Sequence, residues 1–386
     1  MDPTSFSAST LGTVVKTPGA HGFHTFVPAA LPRRFSLGDQ TVLLLSEADR
    51  ALGRLAGAGR LLPNPHLLVR PYVAREALAS SRIEGTQASL SDVFDATALG
   101  DETGQVREVT NYIRALERGL TELARLPISM RLLCSIHEEL LRGVRGQERL
   151  PGEVRRSPNW IGSPDNRPET AIFVPPPVDE MHRALTDWER FIHEDVPIPP
   201  LVKCALLHYQ FETIHPFLDG NGRLGRLLIV FYMVEQDLLP DPLLYISAYF
   251  EAHRSDYYDR LQAVRERGEV EEWTQFFLRA VAVQAGDAIR RAERLADLRE
   301  QYRQAAARTR SRAGEVVDLV FENPVLTTNF VARRLDMTPQ GALNLIRRLE
   351  DGGILTEHER VPGRSMRWVA DAVLGALEGL EPLPDG

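Results

Sequence analysis

The stretch from His215 to Arg226 constrains this chain more than any other, because a glycine-rich turn leads directly into an apolar helix there. Polar residues and glycines disfavour regular structure up to Gly222, whereas residues 224–234 are apolar enough to form a buried helix. Gly220 and Gly222 allow the backbone to approach a ligand with its N–H groups turned toward it. Since the N-terminus of a helix carries a partial positive charge, the stretch is predicted to bind an anion.

Four side chains of the same stretch supply the chemistry of phosphoryl or nucleotidyl transfer. Arg223 and Arg226 are three residues apart, hence near one face of the first helical turn, and arginine pairs bidentately with phosphate. Asp219 offers hard oxygen ligands that suit magnesium. Imidazole titrates near neutral pH, which makes His215 a candidate for the general base.

The stretch resembles the signature of the Fic family, His-x-Phe-x-(Asp/Glu)-Gly-Asn-Gly-Arg-x-x-Arg, at every specified position. The alternative is a surface turn whose glycines and arginines serve only helix capping and solvation, and it would require all the specified positions to coincide by chance. The resemblance implies a mainly α protein, a Fic-type helical bundle with a β-hairpin flap. It also implies transfer of AMP from ATP, with Mg²⁺ or Mn²⁺, to a Ser, Thr or Tyr hydroxyl of a target protein and of the protein itself.

The resemblance assigns roles to the residues of the signature. His215 would deprotonate the hydroxyl, and Asp219 would hold the metal ion. The implied nucleotide-binding residues are Asp219, Gly220, Asn221, Gly222, Arg223, Leu224, Gly225 and Arg226. Some relatives within the superfamily transfer other groups, and the retained Gly-Asn-Gly segment favours AMP.

A second motif lies at residues 80–85. Ser80 and Glu84 are four residues apart and so share a helix face, and Gly85 is predicted to end that helix. The segment resembles the inhibitory motif of Fic proteins, (Ser/Thr)-x-x-x-Glu-(Gly/Asn), which implies that Glu84 reaches Arg226 and blocks the productive pose of the ATP γ-phosphate. The alternative is a solvated glutamate at a helix end. Ser89 or Ser91 is predicted to cap the following helix.

The flap is expected at Thr170, Ala171, Ile172 and Phe173, a short β-type run that three prolines stop. A flap edge could pair with an extended segment of the target and hold its hydroxyl in line. The alternative is a proline-stiffened loop packed on a helix.

Tyr257 and Tyr258 resemble family residues that border the nucleotide base, although tyrosines on helices also serve as core residues. His137 is interpreted as a structural histidine.

The chain is predicted to divide into six segments. They are an irregular arm (1–35), an N-terminal helical region with the inhibitory helix (36–105), a Fic catalytic core (106–285), a charged helical linker (286–312), a winged-helix domain (313–372) and a tail (373–386). Helices are expected at 37–57, from Pro71 to Gly85, twice within 106–142, at 178–194, at 201–212 and from the signature to about Glu235.

The C-terminal segment resembles a winged helix-turn-helix domain, with three helices and two strands joined by a turn at Pro362-Gly363. Its basic residues could contact DNA phosphates, but neighbouring acidic residues dilute them, so a protein-binding or homodimerisation module stays open. These basic residues are Arg347, Arg348, Arg360, Arg364 and Arg367.

Composition and charge restrict the classes of function that remain open. A net charge of −8 argues against general affinity for nucleic acid or membranes. Two cysteines in apolar stretches indicate reduced core residues, and neither a signal peptide nor a transmembrane run is recognisable, which predicts a cytoplasmic protein. Two other functions stay open: a hydrolase that removes AMP with water oriented by Glu84, and a winged-helix DNA-binding regulator with an inactive Fic core.

Overall fold

The structure is a computed structural model that describes residues 1–6, 8–19, 22–61, 65–102, 104–239, 242–307, 312–358 and 366–379. These ranges are mainly helical, with a few short strands, which confirms the predicted fold class. None of the helices within them is long and apolar enough to cross a membrane. The chain forms two compact units, one of residues 1–53 and 114–284 and one of residues 54–113 and 285–386.

The helices of the described ranges follow one another in chain order. They are α1 (Asp39–Leu61), α2 (Pro65–Ile83), α3 (Leu90–Leu99), α4 (Gly104–Leu123), α5 (Met130–Leu140), α6 (Val178–His193), α7 (Pro200–Ile214), α8 (Asn221–Glu235), α9 (Ser247–Ala252), α10 (Arg254–Arg267), α11 (Val270–Ala307), α12 (Ala313–Glu322), α13 (Thr328–Arg334), α14 (Pro339–Asp351) and α15 (Asp371–Glu378). The predicted helices of residues 106–142, 178–194 and 201–212 and the helix after the signature are confirmed. The predicted start at Pro71 is wrong: α2 begins at Pro65, another proline at the first helical position.

The first unit begins with a 3-10 helix (Pro3–Phe6), which a β-hairpin follows where the sequence predicted an irregular arm. Strands β1 (Gly12–Lys16) and β2 (His24–Pro28) pair antiparallel, from Gly12 with Pro28 to Lys16 with His24. Phe26 is fully buried, and its ring centroid lies 6.0 Å from that of Phe173. The prediction failed because these Val- and Thr-rich strands are short, and an apolar cluster distant in sequence stabilises them.

Helices α7 and α8 form the centre of the first unit. Every residue of α7 from Leu201 to Ile214 is buried, so this helix is core on all faces. Gly225 permits the close approach of α8 to α7, because a Cβ at this position would lie 2.2 Å from Glu212 Oε1. The junction between the two helices carries the signature.

The second unit contains the winged-helix domain, which confirms that prediction. A three-stranded sheet has the order β3 (Val325–Thr327), β5 (Arg367–Val369) and β4 (Thr356–His358), with both pairs antiparallel. The sequence did not predict β3. The predicted turn at Pro362-Gly363, together with Arg360 and Arg364, lies outside the described residues.

The predicted linker is not a separate element. Helix α11 runs without a break for 38 residues, and Leu295 and Leu298 in its second half are buried. Arg299 forms an ion pair with Asp318 at 2.8 Å. The predicted tail is also partly structured, since α15 covers residues 371–378 and buries Leu377. Charged residues misled the sequence analysis because they occupy the outer face of a helix whose apolar face is buried.

Candidate active site

The signature loop, residues 215–221, connects the end of α7 to the start of α8. His215 has a left-handed backbone (φ 50°, ψ 63°), and its N–H donates to Phe211 O at 2.9 Å to close α7. A non-glycine residue rarely adopts this conformation, and a following proline such as Pro216 favours extended backbone at the preceding residue. Neighbouring contacts must therefore hold His215 in place.

The side chain of Asn221 stabilises the signature loop from within through two hydrogen bonds. Its side chain is 1% exposed, its Oδ1 accepts from Phe217 N–H at 2.9 Å, and its Nδ2 donates to Phe217 O at 2.8 Å. Both ends of the amide are thus bonded to the backbone of one residue. The Asn221 side chain therefore shapes the loop, and any phosphate contact at this position would come from the main chain.

His137 on α5 also holds the signature loop. Its ring stacks on Phe217, with centroids 4.0 Å apart. Nδ1 accepts from Gly152 N–H at 2.9 Å, so Nε2 carries the proton and donates to Asp219 O at 2.9 Å. Burial lowers the pKa of His137 to about 4, so the ring is neutral at pH 7. The structural role predicted for His137 is confirmed, and the structure adds its contact with the loop.

The start of α8 carries the residues of the predicted anion site. Its N-cap residue is Gly220 (φ 74°), which has no side chain to cap the first N–H groups. A Cβ at Gly220 would lie 3.2 Å from His137 Nε2, so glycine also suits the close contact with α5. Arg223 and Arg226 on the same helix are 1% and 0% exposed. Leu224 and Gly225 lie between the two arginines and pack in the core.

Asp219 fits the predicted metal ligand in its chemistry. One carboxylate oxygen, Oδ1, accepts from Gly220 N–H at 2.7 Å, and the residue is partly exposed. Within the described ranges, no three His, Cys, Asp or Glu residues cluster to hold a metal ion by themselves. Magnesium is commonly held by one or two carboxylates together with substrate phosphates, which matches a single aspartate beside an anion site.

Comparison with family models identifies three regions of the chain. Residues 127–233 match the model of the Fic/DOC family, and residues 42–121 match that of the Fic/DOC family N-terminal region. The chain contains a Fic domain and a Fic N-terminal region. Residues 313–357 match the model of an HTH DNA binding domain.

Curated relatives of this chain are named as adenylyltransferases. A probable protein adenylyltransferase of Aquifex aeolicus is 32% identical over 173 residues, which cover 42% of this chain and 48% of that protein. Protein adenylyltransferase Fic of Aedes aegypti is 28% identical over 151 residues, which cover 39% of this chain and 27% of that protein. The chain thus spans less than half the length of either relative.

Solved structures support the fold. A Fic family protein from Desulfovibrio desulfuricans gives a TM-score of 0.56 at 21% identity, covering 87% of this chain and 97% of that one. A Fic domain containing signaling protein from Bacteroides thetaiotaomicron gives a TM-score of 0.50 at 18% identity, covering 66% of this chain and 95% of that one.

The segment that resembles the Fic inhibitory motif ends α2 in the second unit. Ser80 is fully buried, whereas Glu84 is partly exposed and its N–H donates to Ser81 O at 3.0 Å. Gly85 has a φ of 95°, as predicted for a left-handed helix end. Ser89 caps α3 in a capping box with Asp92, which confirms one of the two predicted caps.

The segment expected to form the Fic flap contains one β-bridge, between Ile161 and Phe173, in place of a hairpin of strands. Ala171 and Phe173 are buried, while Ile172 is 63% exposed and Thr170 is exposed. Alternate side chains thus point inward and outward, as in a strand. The three prolines after residue 174 leave too few N–H groups for a longer ladder.

The two tyrosines predicted to border the nucleotide base differ in their exposure to solvent. Tyr257 is 1% exposed, and its hydroxyl bonds to Nε2 of the fully buried His208 at 2.9 Å. Nδ1 of the same histidine bonds to Gly225 O at 2.9 Å, so this pair connects α10 to the signature helix. Tyr257 therefore packs in the core, whereas Tyr258 is 41% exposed. The roles of both tyrosines at the nucleotide base stay predictions.

Proposed function

We propose that this protein transfers AMP from ATP to a hydroxyl of a target protein and to its own hydroxyls. One observation carries the proposal: a hydrogen-bonded signature loop that brings His215, Asp219 and the N-terminus of α8 within a few residues of one another. The adenylyltransferase names of the relatives agree with it. The acceptor is a Ser, Thr or Tyr side chain.

In the proposed reaction His215 takes the proton of the acceptor hydroxyl. The hydroxyl oxygen then bonds to the α-phosphorus of ATP, the bond between that phosphorus and the bridging oxygen breaks, and pyrophosphate leaves. The N–H groups of Gly222 and Arg223 at the start of α8 face the phosphates, and the guanidinium groups of Arg223 and Arg226 neutralise the β- and γ-phosphates. In such transfers the protein contributes mainly positioning and charge neutralisation.

Asp219 would hold Mg²⁺ or Mn²⁺ through its partly exposed carboxylate. Such an ion, when bound, neutralises charge on the phosphates. Gly220 N–H donates to Asp219 Oδ1 at 2.7 Å, and this hydrogen bond orients the carboxylate before any ligand binds.

Regulation by Glu84 forms part of the proposal. A carboxylate that competes with the γ-phosphate for Arg226 would keep the enzyme inactive until it is displaced. The test is self-labelling by radioactive ATP: Glu84→Gly should raise labelling, and Glu84→Gly combined with Arg226→Ala should abolish that gain. Glu148→Gly is a matched control, because Glu148 is an exposed glutamate in a turn of the first unit.

Two outcomes would contradict these proposals separately. Unchanged labelling in Glu84→Gly would reject the inhibitory role alone. If neither the parental protein nor Glu84→Gly became labelled, and AMP were released from a pre-modified target, the proposed reaction would be hydrolysis and not transfer. Mass spectrometry of a lysate incubated with labelled ATP would identify the acceptor protein.

The winged-helix domain favours a second function, contact with double-stranded DNA. Gln340, Asn344 and Arg347 repeat at helical spacing on the exposed side of α14, and these side-chain types bond to base edges and phosphates. Arg367 is less available than the sequence suggested, because it forms an ion pair with Asp95. Binding of a labelled random duplex at two salt concentrations tests this function, and salt-independent or absent binding would reject it.

A further inference from the structure

Arg155 is a buried arginine whose partners are backbone carbonyls. Its side chain is 1% exposed, and its Nε donates to His215 O at 3.0 Å. One terminal nitrogen, Nη2, reaches Pro176 O at 2.6 Å and Ile214 O at 3.4 Å. The main-chain N–H of Arg155 donates to Pro216 O at 2.9 Å. A single residue therefore bonds to three consecutive carbonyls around His215.

Asn159 extends this set to a fourth carbonyl. Its Nδ2 donates to Phe217 O at 2.9 Å and lies 3.4 Å from His215 O. The carbonyls of residues 214 to 217 thus all accept hydrogen bonds from the segment 155–159. That segment lies about 60 residues earlier in the chain, so these bonds do not arise from local turn geometry.

The charge of Arg155 is costly where it lies. Burial lowers the pKa of the guanidinium to about 10, so it stays protonated at neutral pH. Within the described residues no carboxylate lies at ion-pair distance from it, and the carbonyls of Ser157, Pro176, Ile214 and His215 take that place. Burying a cation whose partners are carbonyls costs more free energy of desolvation than filling the same space with an apolar side chain. The guanidinium can, however, hold a strained backbone, because it donates to several carbonyls.

The strained residue is His215. Its left-handed conformation before a proline needs external support, and the carbonyl bonded to Arg155 Nε is its own. Pro176 ends the segment that contains Ile172, the exposed side chain of the expected flap. The same guanidinium therefore joins the backbone of the candidate base to the end of the segment expected to meet the target.

We propose that Arg155, assisted by Asn159, is a positioning residue that sets the backbone and imidazole of His215 and ties them to the segment ending at Pro176. This inference rests on the proposed function for its kinetic consequence only. Lysine at position 155 keeps the charge but lacks the rigid planar fork that places Nε, Nη1 and Nη2 on separate carbonyls. The imidazole should then move while the anion site at α8 stays intact.

The experiment compares Arg155→Lys with Arg156→Lys in the Glu84→Gly background. Arg156 is the matched control, because its side chain is 83% exposed and bonds to the exposed side chain of Glu153 at 3.1 Å. Arg155→Lys should lower the single-turnover rate of AMP transfer about 100-fold. The dissociation constant for ATP should change by less than about twofold, and Arg156→Lys should change neither quantity.

A second readout does not depend on activity. The His215 imidazole Cε1–H resonance, assigned by its loss in His215→Ala, should shift in Arg155→Lys and not in Arg156→Lys. A shifted resonance without labelling in the background protein would reject the proposed function and keep the positioning role. An unmoved resonance, or a transfer rate within about threefold of the background, would overturn the positioning role.

Asn159→Ala covers the case in which Arg155→Lys does not fold. Loss of the bonds to Phe217 O and His215 O should lower the transfer rate about tenfold and shift the His215 resonance in the same direction. An unchanged rate together with an unmoved resonance would overturn the proposal. Equal losses of rate and of ATP affinity would do the same, since they would indicate general damage to the site.

Discussion

The signature loop and helix α14 use the same polar residue types in opposite ways. In the loop, Asn221 is buried and both ends of its amide bond to the backbone of Phe217. On α14, Asn344 is exposed and its Oδ1 accepts from Gln340 Nε2 at 3.1 Å, while apolar residues such as Ile346 fill the inner face. The loop is built from buried polar bonds, and α14 is built from an apolar stripe with polar groups left outside.

The difference teaches which substitutions each region tolerates. A buried hydrogen-bonding group that loses its partner keeps the full cost of its desolvation, whereas an exposed group returns to water. Equivalent substitutions should therefore have large effects in the signature loop and small effects on α14. The region proposed for the reaction is thus the one sensitive to substitution, and the region proposed for surface recognition is the tolerant one.

The largest expected effect comes from the candidate base. His215→Ala should lower AMP transfer by roughly 10²–10⁴-fold, because the acceptor hydroxyl loses its proton acceptor while the start of α8 remains able to bind phosphate. Rates from labelled ATP and affinities from calorimetry would separate the two steps. His182→Ala, on the exposed face of α6, is the control. Parental rates in His215→Ala would remove His215 from the mechanism.

The next effect is a loss of stability in acid that depends on His137. Its folded pKa of about 4 lies below the ordinary value of 6.5, so the unfolded chain takes up a proton first as the pH falls. Stability should therefore decrease between pH 6.5 and 4, on the order of 3 kcal/mol for this histidine. His208, with a pKa lowered to about 3, should act in the same direction.

His137→Gln keeps a donor toward Asp219 O and removes the titrating group. Urea unfolding at pH 7 and pH 4.5 would measure the effect: the acid loss of the variant should be smaller than that of the parental protein. An identical pH dependence in both proteins would show that another group controls the acid transition.

A pair of asparagine variants compares the two regions directly. Asn221→Ala leaves Phe217 N–H buried without its acceptor, so the free energy of unfolding should fall by about 1–3 kcal/mol. Asn344→Ala removes only an exposed side chain, and its effect should stay below about 0.5 kcal/mol. Urea titrations of both variants would measure this, and equal losses would contradict the contrast between the regions.

The smallest effects on stability and labelling are expected from Arg347→Ala. This side chain is exposed on α14, so unfolding should change by less than about 0.5 kcal/mol and AMP transfer should stay unchanged. If the helix contacts DNA phosphate, the slope of log affinity against log salt should fall by about one. A large loss of labelling would show that α14 belongs to the catalytic machinery.

The sequence by itself identified the candidate residues of the signature and located the main helices. Spacing located α4 to α8, and local rules identified the cap at Ser89 and the left-handed Gly85, because those features depend on residues within one or two turns. Residues 170–173 have the composition of a short β-type run, and one bridge of it forms.

Only the tertiary structure decided which groups hold the site. Arg155 and His137 meet the signature loop from about 60 and 80 residues away, and nothing in their local sequence distinguishes them from a loop arginine and a helix histidine. Burial likewise assigned Tyr257 to the core and paired the strands of residues 12–28. Periodicity and propensity describe a segment's own preferences, whereas a buried hydrogen bond between distant segments exists only after both have folded around it.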